Sequence, residues 1–338
     1  MTTAAKSSQA RRNNAHAYAR RLGSMSTRTL LSAAVLQLVA SAACAGGVVY
    51  RAQFLSNPTG LGHNAESSAL AINNAGQVAG WSRMPGPAGT QGFLYSGGLM
   101  QDLGVSAAGA TSRATALSDP QGVSGRYLIA GDGTRESGGF SPLGFMQARN
   151  SLNLLSVTTT PIAAPARRTI EVRGVNASGL VVGSLISASF GRTAYLRDAS
   201  GQLQTLASVG MESTANAINN SGQVAGSARL TAGRISAVIF ESGGVRDLGS
   251  LGGGLATAIN ATGGAVGYSR TAGSSILHAF DYLNGVMTRI AESLEVGAGS
   301  QATGINLSAQ VGARCIRMQT HRPRAGASSP QARAALSI

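Results

Sequence analysis

The sequence repeats a ten-residue segment, and this repetition constrains the fold more than any other feature. Residues 71–80 read AINNAGQVAG and residues 217–226 read AINNSGQVAG, so nine of the ten positions agree. Weaker copies of the pattern occur at 174–183, 258–267 and 304–312, with a degenerate copy at 116–131. Intervals of 45, 58, 43, 41 and 46 residues separate the apolar anchors of the copies, which are Ile72, Leu117, Val175, Ile218, Ile259 and Ile305. Such a period is typical of arrays that repeat one supersecondary unit.

Each unit contains the signals of four short β-strands. An apolar strand end precedes a four-residue turn with Asn and Gly, which tolerate positive φ, and a strand with Val follows the turn. A third strand carries an aromatic or bulky apolar residue, as at 92–95 and 237–240. A fourth strand opens on Gly and closes on Leu or Ile, as at 97–103 and 243–248. No helix-period stretch of ten or more residues lies between these segments, so each unit is predicted to be all-β.

The number of strands in each unit indicates the architecture. Four short antiparallel strands in about 45 residues correspond to one propeller blade. We therefore predict an all-β, six-bladed β-propeller of four-stranded antiparallel blades, with a β-solenoid as the alternative. Residues 48–55 read VVYRAQFL, as expected of a fourth strand, whereas the last unit loses the pattern after its hairpin. We expect this N-terminal strand to complete the last blade, because unpaired strand edges favour aggregation.

An export signal is predicted near the start of the chain. Residues 29–43 read TLLSAAVLQLVASAA, an uncharged and mostly apolar run that follows several arginines and precedes small residues. These are the parts of a secretory signal, and the run is too short to span a bilayer comfortably. We predict a signal region at 1–45, with a true start at Met25 and cleavage after Ala45; lipoprotein cleavage before Cys44 is the alternative. The mature chain is then secreted, periplasmic or extracellular, and it has no membrane span.

The basic character of the chain is concentrated at its two ends. The net charge is +14, from 27 basic and 13 acidic residues. Six basic residues lie before residue 46 and five after residue 312, without any acid, so 46–312 holds 16 basic and 13 acidic residues. Nucleic acid is therefore not an expected partner. We predict a propeller domain at 46–312 and a basic, disordered tail at 313–338, which is rich in Arg, Ala, Pro and Ser.

The units resemble the HAF family of bacterial extracellular repeat proteins. The family's His-Ala-Phe triplet stands here at His278, Ala279 and Phe280. The segment DLGSLGG at 247–253, followed by AIN at 258–260, is similar to the family's joint between units. The resemblance covers about 48–312 and is strongest over 213–290. It implies bacterial export and a propeller-like β fold, and it implies no catalytic or binding residues.

Acidic residues outside the repeat pattern are the candidate catalytic residues. Asp102 and Asp247 recur at one repeat position, so we assign them to a turn or strand end, because a catalytic acid is normally needed once. The candidates are the unrepeated acids Asp132, Glu136, Glu292 and Glu295, and Glu171 and Glu212 are further acids of this kind. Two carboxylates that face each other could carry out glycoside hydrolysis.

No cofactor or metal site is predicted. The four histidines stand apart, without an HExxH motif or a Cys/His cluster. Asn-x-Ser/Thr triplets begin at Asn176, Asn219, Asn260 and Asn306, but all four fall in the repeated turn, so turn chemistry explains them before glycosylation does. Strong repeats without a catalytic cluster favour an exported, non-enzymatic scaffold that binds a polysaccharide or a cell-surface protein. A secreted glycan hydrolase or lyase is the alternative.

Overall fold

Twenty-two β-strands and no helix occur among the residues that the computed structural model describes. Those residues are 66–83, 89–104, 111–134, 143–151, 157–188, 191–206, 212–230, 233–242, 244–249, 253–270, 276–290 and 299–316. All of them belong to the unit formed by Ser56–Ile338. In this part of the chain no helix has the length and apolar character needed to cross a bilayer.

The strands form antiparallel sheets in which each strand pairs with the next along the chain. The first sheet contains β1 (Ser67–Ile72), β2 (Val78–Arg83), β3 (Thr90–Ser96) and β4 (Leu99–Asp102). The second contains β5 (Thr111–Leu117), β6 (Arg126–Thr134), β7 (Leu143–Asn150) and β8 (Thr158–Ile162). The third contains β9 (Thr169–Val175), β10 (Val181–Ser187), β11 (Gly191–Arg197) and β12 (Leu203–Thr205).

The remaining sheets continue this order. The fourth contains β13 (Ser213–Ile218), β14 (Val224–Arg229), β15 (Ile235–Glu241) and β16 (Gly244–Asp247). The fifth contains β17 (Gly254–Ile259), β18 (Ala265–Arg270), β19 (Leu277–Leu283) and β20 (Val286–Arg289). The sixth contains β21 (Gly299–Ile305) and β22 (Val311–Ile316). The predicted all-β class and the four-stranded antiparallel unit are therefore confirmed, and even the degenerate second copy forms a full sheet.

The sixth sheet differs from the other five in the number of its described strands. It has two strands, whereas each of the others has four. Residues 48–55, which we predicted to complete it, lie outside the described residues. The strand β22 continues to Ile316, so regular structure extends four residues past the domain boundary predicted at 312.

The first strands of the six sheets surround one channel, which gives the described sheets a propeller-like arrangement. Three adjoining cavities follow one another along this channel, and residues of β1, β5, β9, β13, β17 and β21 line each of them. We call the end of the channel at the repeated Asn turns the turn end, and the opposite end, where the first strands begin, the loop end. The middle of the channel is lined by the repeat's six apolar anchors: Ile72, Leu117, Val175, Ile218, Ile259 and Ile305.

The hydrophobic core is divided among the interfaces between consecutive sheets. Leu94 and Leu103 of the first unit, for example, pack with Tyr127 and Ile129 of the second. Similar clusters join the second sheet to the third, the third to the fourth, the fourth to the fifth and the fifth to the sixth. Because each sheet buries apolar surface on its neighbours, the sheets stabilise one another along the array.

The repeated Asn closes the turn between the first two strands and connects neighbouring units. The Asn219 carboxamide oxygen accepts hydrogen bonds from the backbone N–H groups of Ser221 and Gln223. Its amide group donates to the backbone oxygen of Asn260 at 3.0 Å. The equivalent donations between units are Asn73 to Ser118, Asn176 to Asn219 and Asn260 to Asn306. The repeated Asn is therefore a structural residue, and Asn176, Asn219 and Asn260 are buried.

A β-bulge occurs at the same position in all six sheets. In the fourth sheet, Ala215 pairs with Gly226 and Ala217 pairs with Ala225, so Asn216 is the extra residue. The extra residues of the six sheets all line the loop-end cavity: Leu70, Thr115, Arg173, Asn216, Thr257 and Thr303. A Cβ built on Gly226 would overlap the backbone oxygen of Thr214. The last Gly of the Val-Ala-Gly segment is therefore required by the close approach of the bulged strand.

The remaining repeat residues also have structural roles. Ala279 of the His-Ala-Phe triplet donates its backbone N–H to the Ser300 hydroxyl of the next unit and accepts a bond from the Ile290 N–H of its own unit. The carboxylates of Asp102 and Asp247 each accept a hydrogen bond from the backbone N–H two residues later, as in an Asx turn. The turn role that we predicted for these two acids is what the structure shows.

A candidate functional site at the loop end of the channel

The residues that differ between units are concentrated at the loop end. The bulge glycine of each second strand, which is replaced by Ala313 in the sixth sheet, is followed by one variable residue. This residue pairs with a residue of the first strand that lies two positions before the bulge residue. We call these the loop-end pairs: Ser68–Trp81, Arg113–Asp132, Glu171–Ser184, Thr214–Ser227, Leu255–Tyr268 and Gln301–Arg314. A constant backbone thus displays six chemically different pairs of side chains.

The pair Arg113–Asp132 is a partly buried ion pair. The Arg113 Nε and Nη2 atoms donate to the same carboxylate oxygen of Asp132, at 3.2 and 2.9 Å. The Asp132 side chain is 9% exposed, while that of Arg113 is 53% exposed. Burial raises the pKa of the Asp132 carboxyl above its ordinary value, and the charge and hydrogen bonds of Arg113 only partly offset this effect.

A second carboxylate, Glu171, lies in the same cavity. It accepts hydrogen bonds from Arg173 at 2.9 Å and from Arg192. Burial alone would raise the pKa of Glu171, but the hydrogen bonds and charges of Arg192 and Arg173 outweigh burial, so the pKa is lowered. The two carboxylates at the loop end therefore have pKa values that shift in opposite directions.

On the other side of the cavity, an arginine is held by a neutral partner. The Arg314 Nε atom donates to the Gln301 side-chain oxygen at 3.0 Å, and the Nη2 atom donates to the same oxygen. Gln301 is 9% exposed, so it is a fixed anchor for the more exposed guanidinium. Tyr268 of the neighbouring unit occupies the equivalent position and lines the same cavity, which has a volume of about 530 Å³.

A side groove of about 510 Å³ adjoins the loop-end cavity. The two share Arg113, Asp132 and Glu171, and the groove adds Trp81 and Ile186. Trp81 is the chain's one tryptophan and is half-buried. An aromatic ring therefore flanks the charged cluster on each side, with Tyr268 in the cavity and Trp81 in the groove.

The structure places the candidate acidic residues at different locations. Asp132 lies in β6 and lines the loop-end cavity, together with Glu171. Glu212 forms a salt bridge with Arg229 at 2.8 Å and does not line that cavity. Glu136, Glu292 and Glu295 lie outside the described residues. Asp132 and Glu171 are thus the candidate acids that the fold brings to one place.

Sequence reasoning missed the residues that give this site its character, which are Trp81, Arg173, Tyr268 and Arg314. Three of them follow the bulge glycine or its equivalent, and the fourth is a bulge residue. Alignment of the units on that glycine would have shown a position at which side chains change from unit to unit. The sequence pattern instead assigns Arg314 to the basic tail, because the chain from this residue on departs from the repeat and is rich in Arg, Ala, Pro and Ser.

The arrangement is suited to hydrogen bonding, charge pairing and stacking. Within the described residues, no group of three or more His, Cys, Asp or Glu side chains could hold a metal ion. Guanidinium groups bind planar anions, and aromatic faces stack on apolar faces of ligands. The site can therefore bind a polar ligand that has several hydroxyl or acidic groups.

Comparisons with known proteins leave the function to be inferred from these residues. No family model matches the chain, and no curated protein matches it. Among solved structures, the chain is similar to a crystal structure of a triple arginine-to-alanine mutant of AofleA from Arthrobotrys oligospora, at 11% identity and a TM-score of 0.39. That likeness covers 75% of this chain and 80% of that chain.

Proposed function

We propose that this protein is an exported, non-enzymatic binding scaffold whose loop-end cavity and side groove hold a glycan. The observation that carries the proposal is the open surface that runs from Tyr268, across Arg113, Asp132 and Glu171, to Trp81. Glycan rings have apolar faces that stack on aromatic side chains, and they have hydroxyl groups that bond to charged side chains. This surface has both kinds of group, with one aromatic residue in the cavity, one in the groove and the charged residues shared by the two.

The scaffold in this proposal is a six-bladed propeller in which residues 48–55 complete the sixth blade. The support is the common channel lined by the first strand of each of the six sheets. We also propose membership of the HAF-type repeat proteins, with Ala279 and Phe280 as packing residues between strands and units. N-terminal sequencing of protein recovered outside the cytoplasm tests export. A chain that begins at Gly46 supports the proposal, whereas recovery only of an uncleaved cytoplasmic chain contradicts it.

A non-enzymatic role is supported by the pairing of both carboxylates. Asp132 is held by Arg113 and by the backbone N–H of Val172. Glu171 is shared by two arginines. A carboxylate that is committed to ion pairs is poorly placed to donate a proton or to attack a sugar. The pairs instead present a fixed pattern of charges, which is what specific binding needs.

The test is a glycan array probed with the chain that begins at Gly46, with each bound glycan also assayed for cleavage. We expect binding without cleavage, and about tenfold weaker binding for Trp81→Ala and for Tyr268→Ala. Tyr268→Phe is the matched control, because it keeps the ring and should keep most of the affinity. Leu99→Ala, at an exposed residue of the outer strand β4, should leave binding unchanged. Absence of binding to every glycan would overturn the proposal.

Cleavage of a glycan, by hydrolysis or by elimination as in a lyase, is the second candidate function, and one observation favours it. The pKa of Asp132 is raised and that of Glu171 is lowered, as in acid–base pairs of glycan-cleaving enzymes. Product formation that disappears in Asp132→Asn would establish this candidate in place of pure binding. Unchanged glycan after prolonged incubation would exclude it.

A further inference from the structure

The loop end carries more basic than acidic groups. Three arginines line the cavity, namely Arg113, Arg173 and Arg314, and they face the two carboxylates of Asp132 and Glu171. Glu171 also pairs with Arg192, so one carboxylate serves two arginines. The surface is therefore short of negative charge, although the repeat region as a whole is close to neutral.

Arg314 carries the part of this excess positive charge that no carboxylate offsets. Among the described residues Arg314 takes part in no salt bridge, whereas Arg113 pairs with Asp132 and Arg173 pairs with Glu171. Its partner, Gln301, is an amide, which orients the guanidinium without neutralising it. Arg314 is exposed to the cavity, while the anchoring Gln301 is 9% exposed. A pre-oriented guanidinium loses little entropy when it binds a planar anion.

Tyr268 lies at the equivalent position of the preceding unit, so an aromatic ring and a guanidinium meet the same cavity from neighbouring sheets. Leu255 and Thr257 line the cavity beside them. A sugar ring with a carboxylate offers an apolar face to the aromatic ring and a planar anion to the guanidinium. A neutral sugar would leave the charge of Arg314 without a counterpart.

We propose that the ligand of the loop-end cavity is an acidic glycan, in which a sugar carboxylate binds Arg314 while the ring stacks on Tyr268. This inference rests on the proposed glycan-binding function and names its ligand class. Arg113 and Arg173 remain paired with Asp132 and Glu171 and bond to hydroxyl groups of the same ligand.

The experiment uses isothermal titration calorimetry to compare the affinities of oligogalacturonate and its methyl ester for the chain that begins at Gly46. The two ligands share one backbone and differ in the charge of the carboxyl group. We expect the acid to bind about tenfold more tightly than the ester, and its affinity to fall as salt increases. Arg314→Gln should weaken binding of the acid by about tenfold and leave binding of the ester unchanged.

Controls separate a local effect from misfolding. Arg314→Lys keeps the charge without the planar fork and should lose part of the preference for the acid. Arg246→Gln removes an exposed arginine of the outer strand β16, where Arg246 pairs with Glu241, and should have no effect on binding. Thermal unfolding of each variant confirms that it is folded.

The outcomes distinguish failure of this inference from failure of the proposed function. Equal binding of acid and ester, or binding of the acid that is insensitive to Arg314→Gln in a folded variant, overturns the acidic ligand but retains a glycan-binding protein. Binding only of neutral glycans on the array has the same meaning. Binding of DNA with no binding of any glycan overturns both.

Discussion

The two ends of the channel are built from the same six units, yet they differ in what is repeated. At the turn end, the same Asn bonds recur from unit to unit, and the asparagine side chains of several units are buried. At the loop end, one cross-strand position carries an ion pair in the second unit, an aromatic residue in the fifth and an amide–guanidinium pair in the sixth. A repeat can therefore fix the backbone at one end of the channel while the side chains vary at the other.

The difference follows from what each end must satisfy. A turn residue has to supply several hydrogen bonds to buried backbone groups, and few side chains other than Asn can do so. A loop-end pair needs only to fit its neighbours beside an open cavity. Substitutions of the repeated Asn, of the bulge glycine or of a buried pair member should therefore reduce the free energy of unfolding, whereas substitutions of Trp81, Tyr268 or Arg314 should mainly change binding.

The largest effect is expected at the bulge glycine. Gly226→Ala places a methyl group against the backbone oxygen of Thr214, which cannot move without disrupting the bulge. We expect a loss of about 3 kcal/mol or more in the free energy of unfolding, measured by chemical denaturation. The matched control is Gly304→Ala, where no atom lies within 4 Å of the added Cβ, and it should be close to neutral. An equal loss of unfolding free energy in the two variants would show that the close approach at the bulge does not require glycine.

The repeated Asn should show the next largest effect. Asn219→Ala removes its bonds to Ser221, Gln223 and Asn260 and leaves buried backbone groups unsatisfied. We expect a loss of about 2–3 kcal/mol. Asn306→Ala tests the same residue type at an exposed site and should cost about 1 kcal/mol. An equal cost at both sites would mean that connection to the next unit contributes nothing.

Exchange of a loop-end pair tests whether the backbone accepts another unit's side chains at the same position. Ser227→Asp buries a carboxylate beside Thr214 and should cost about 2 kcal/mol, because no arginine pairs with it across the strands. The double variant Thr214→Arg with Ser227→Asp copies the second unit's pair, so most of that loss should be regained. A double-mutant cycle in denaturant measures the coupling. Additive losses would show that the pairs are not interchangeable.

The smallest effect on the free energy of unfolding is expected at Glu171, and it should depend on pH. Glu171→Gln should lower the free energy of unfolding by about 1 kcal/mol at pH 7, because Arg173 and Arg192 then donate to a neutral amide instead of a carboxylate. The pKa of Glu171 is lowered in the folded state, so its stabilising contribution is present in full above the ordinary pKa of 4.5 and is lost as pH falls through the folded-state pKa. The difference between wild type and variant should therefore shrink on acidification. A difference that grows as pH falls would contradict this assignment.

The sequence predicts the strands and turns well because those features are local. The Asn-Gly turns and the four-stranded unit both follow from short-range patterns, and the structure has them at the expected places. The bulge is not visible in the same way. One extra residue in a strand changes which face each side chain occupies, and this change re-aims Arg173 and Asn216 into the channel.

The candidate site could be predicted only in part, for a related reason. Asp132 stood out because it does not recur, but its partner Arg113 lies nineteen residues earlier, across a strand pair whose register the sequence does not state. Arg314 lies where the repeat pattern fades, although β22 continues through it to Ile316. The repeat pattern shows the scaffold, but the residues of this site differ between units and are therefore not part of the pattern.

Amide hydrogen exchange with and without a bound glycan tests the division between the two ends most directly. With oligogalacturonate, or with whichever glycan the array identifies, we expect slower exchange in loop-end segments of β6, β9, β18 and β22. The repeated turns at 73–77, 219–223 and 260–264 should exchange at unchanged rates. Protection confined to those turns, with the loop-end segments unaffected, would contradict the assignment of binding to the loop end.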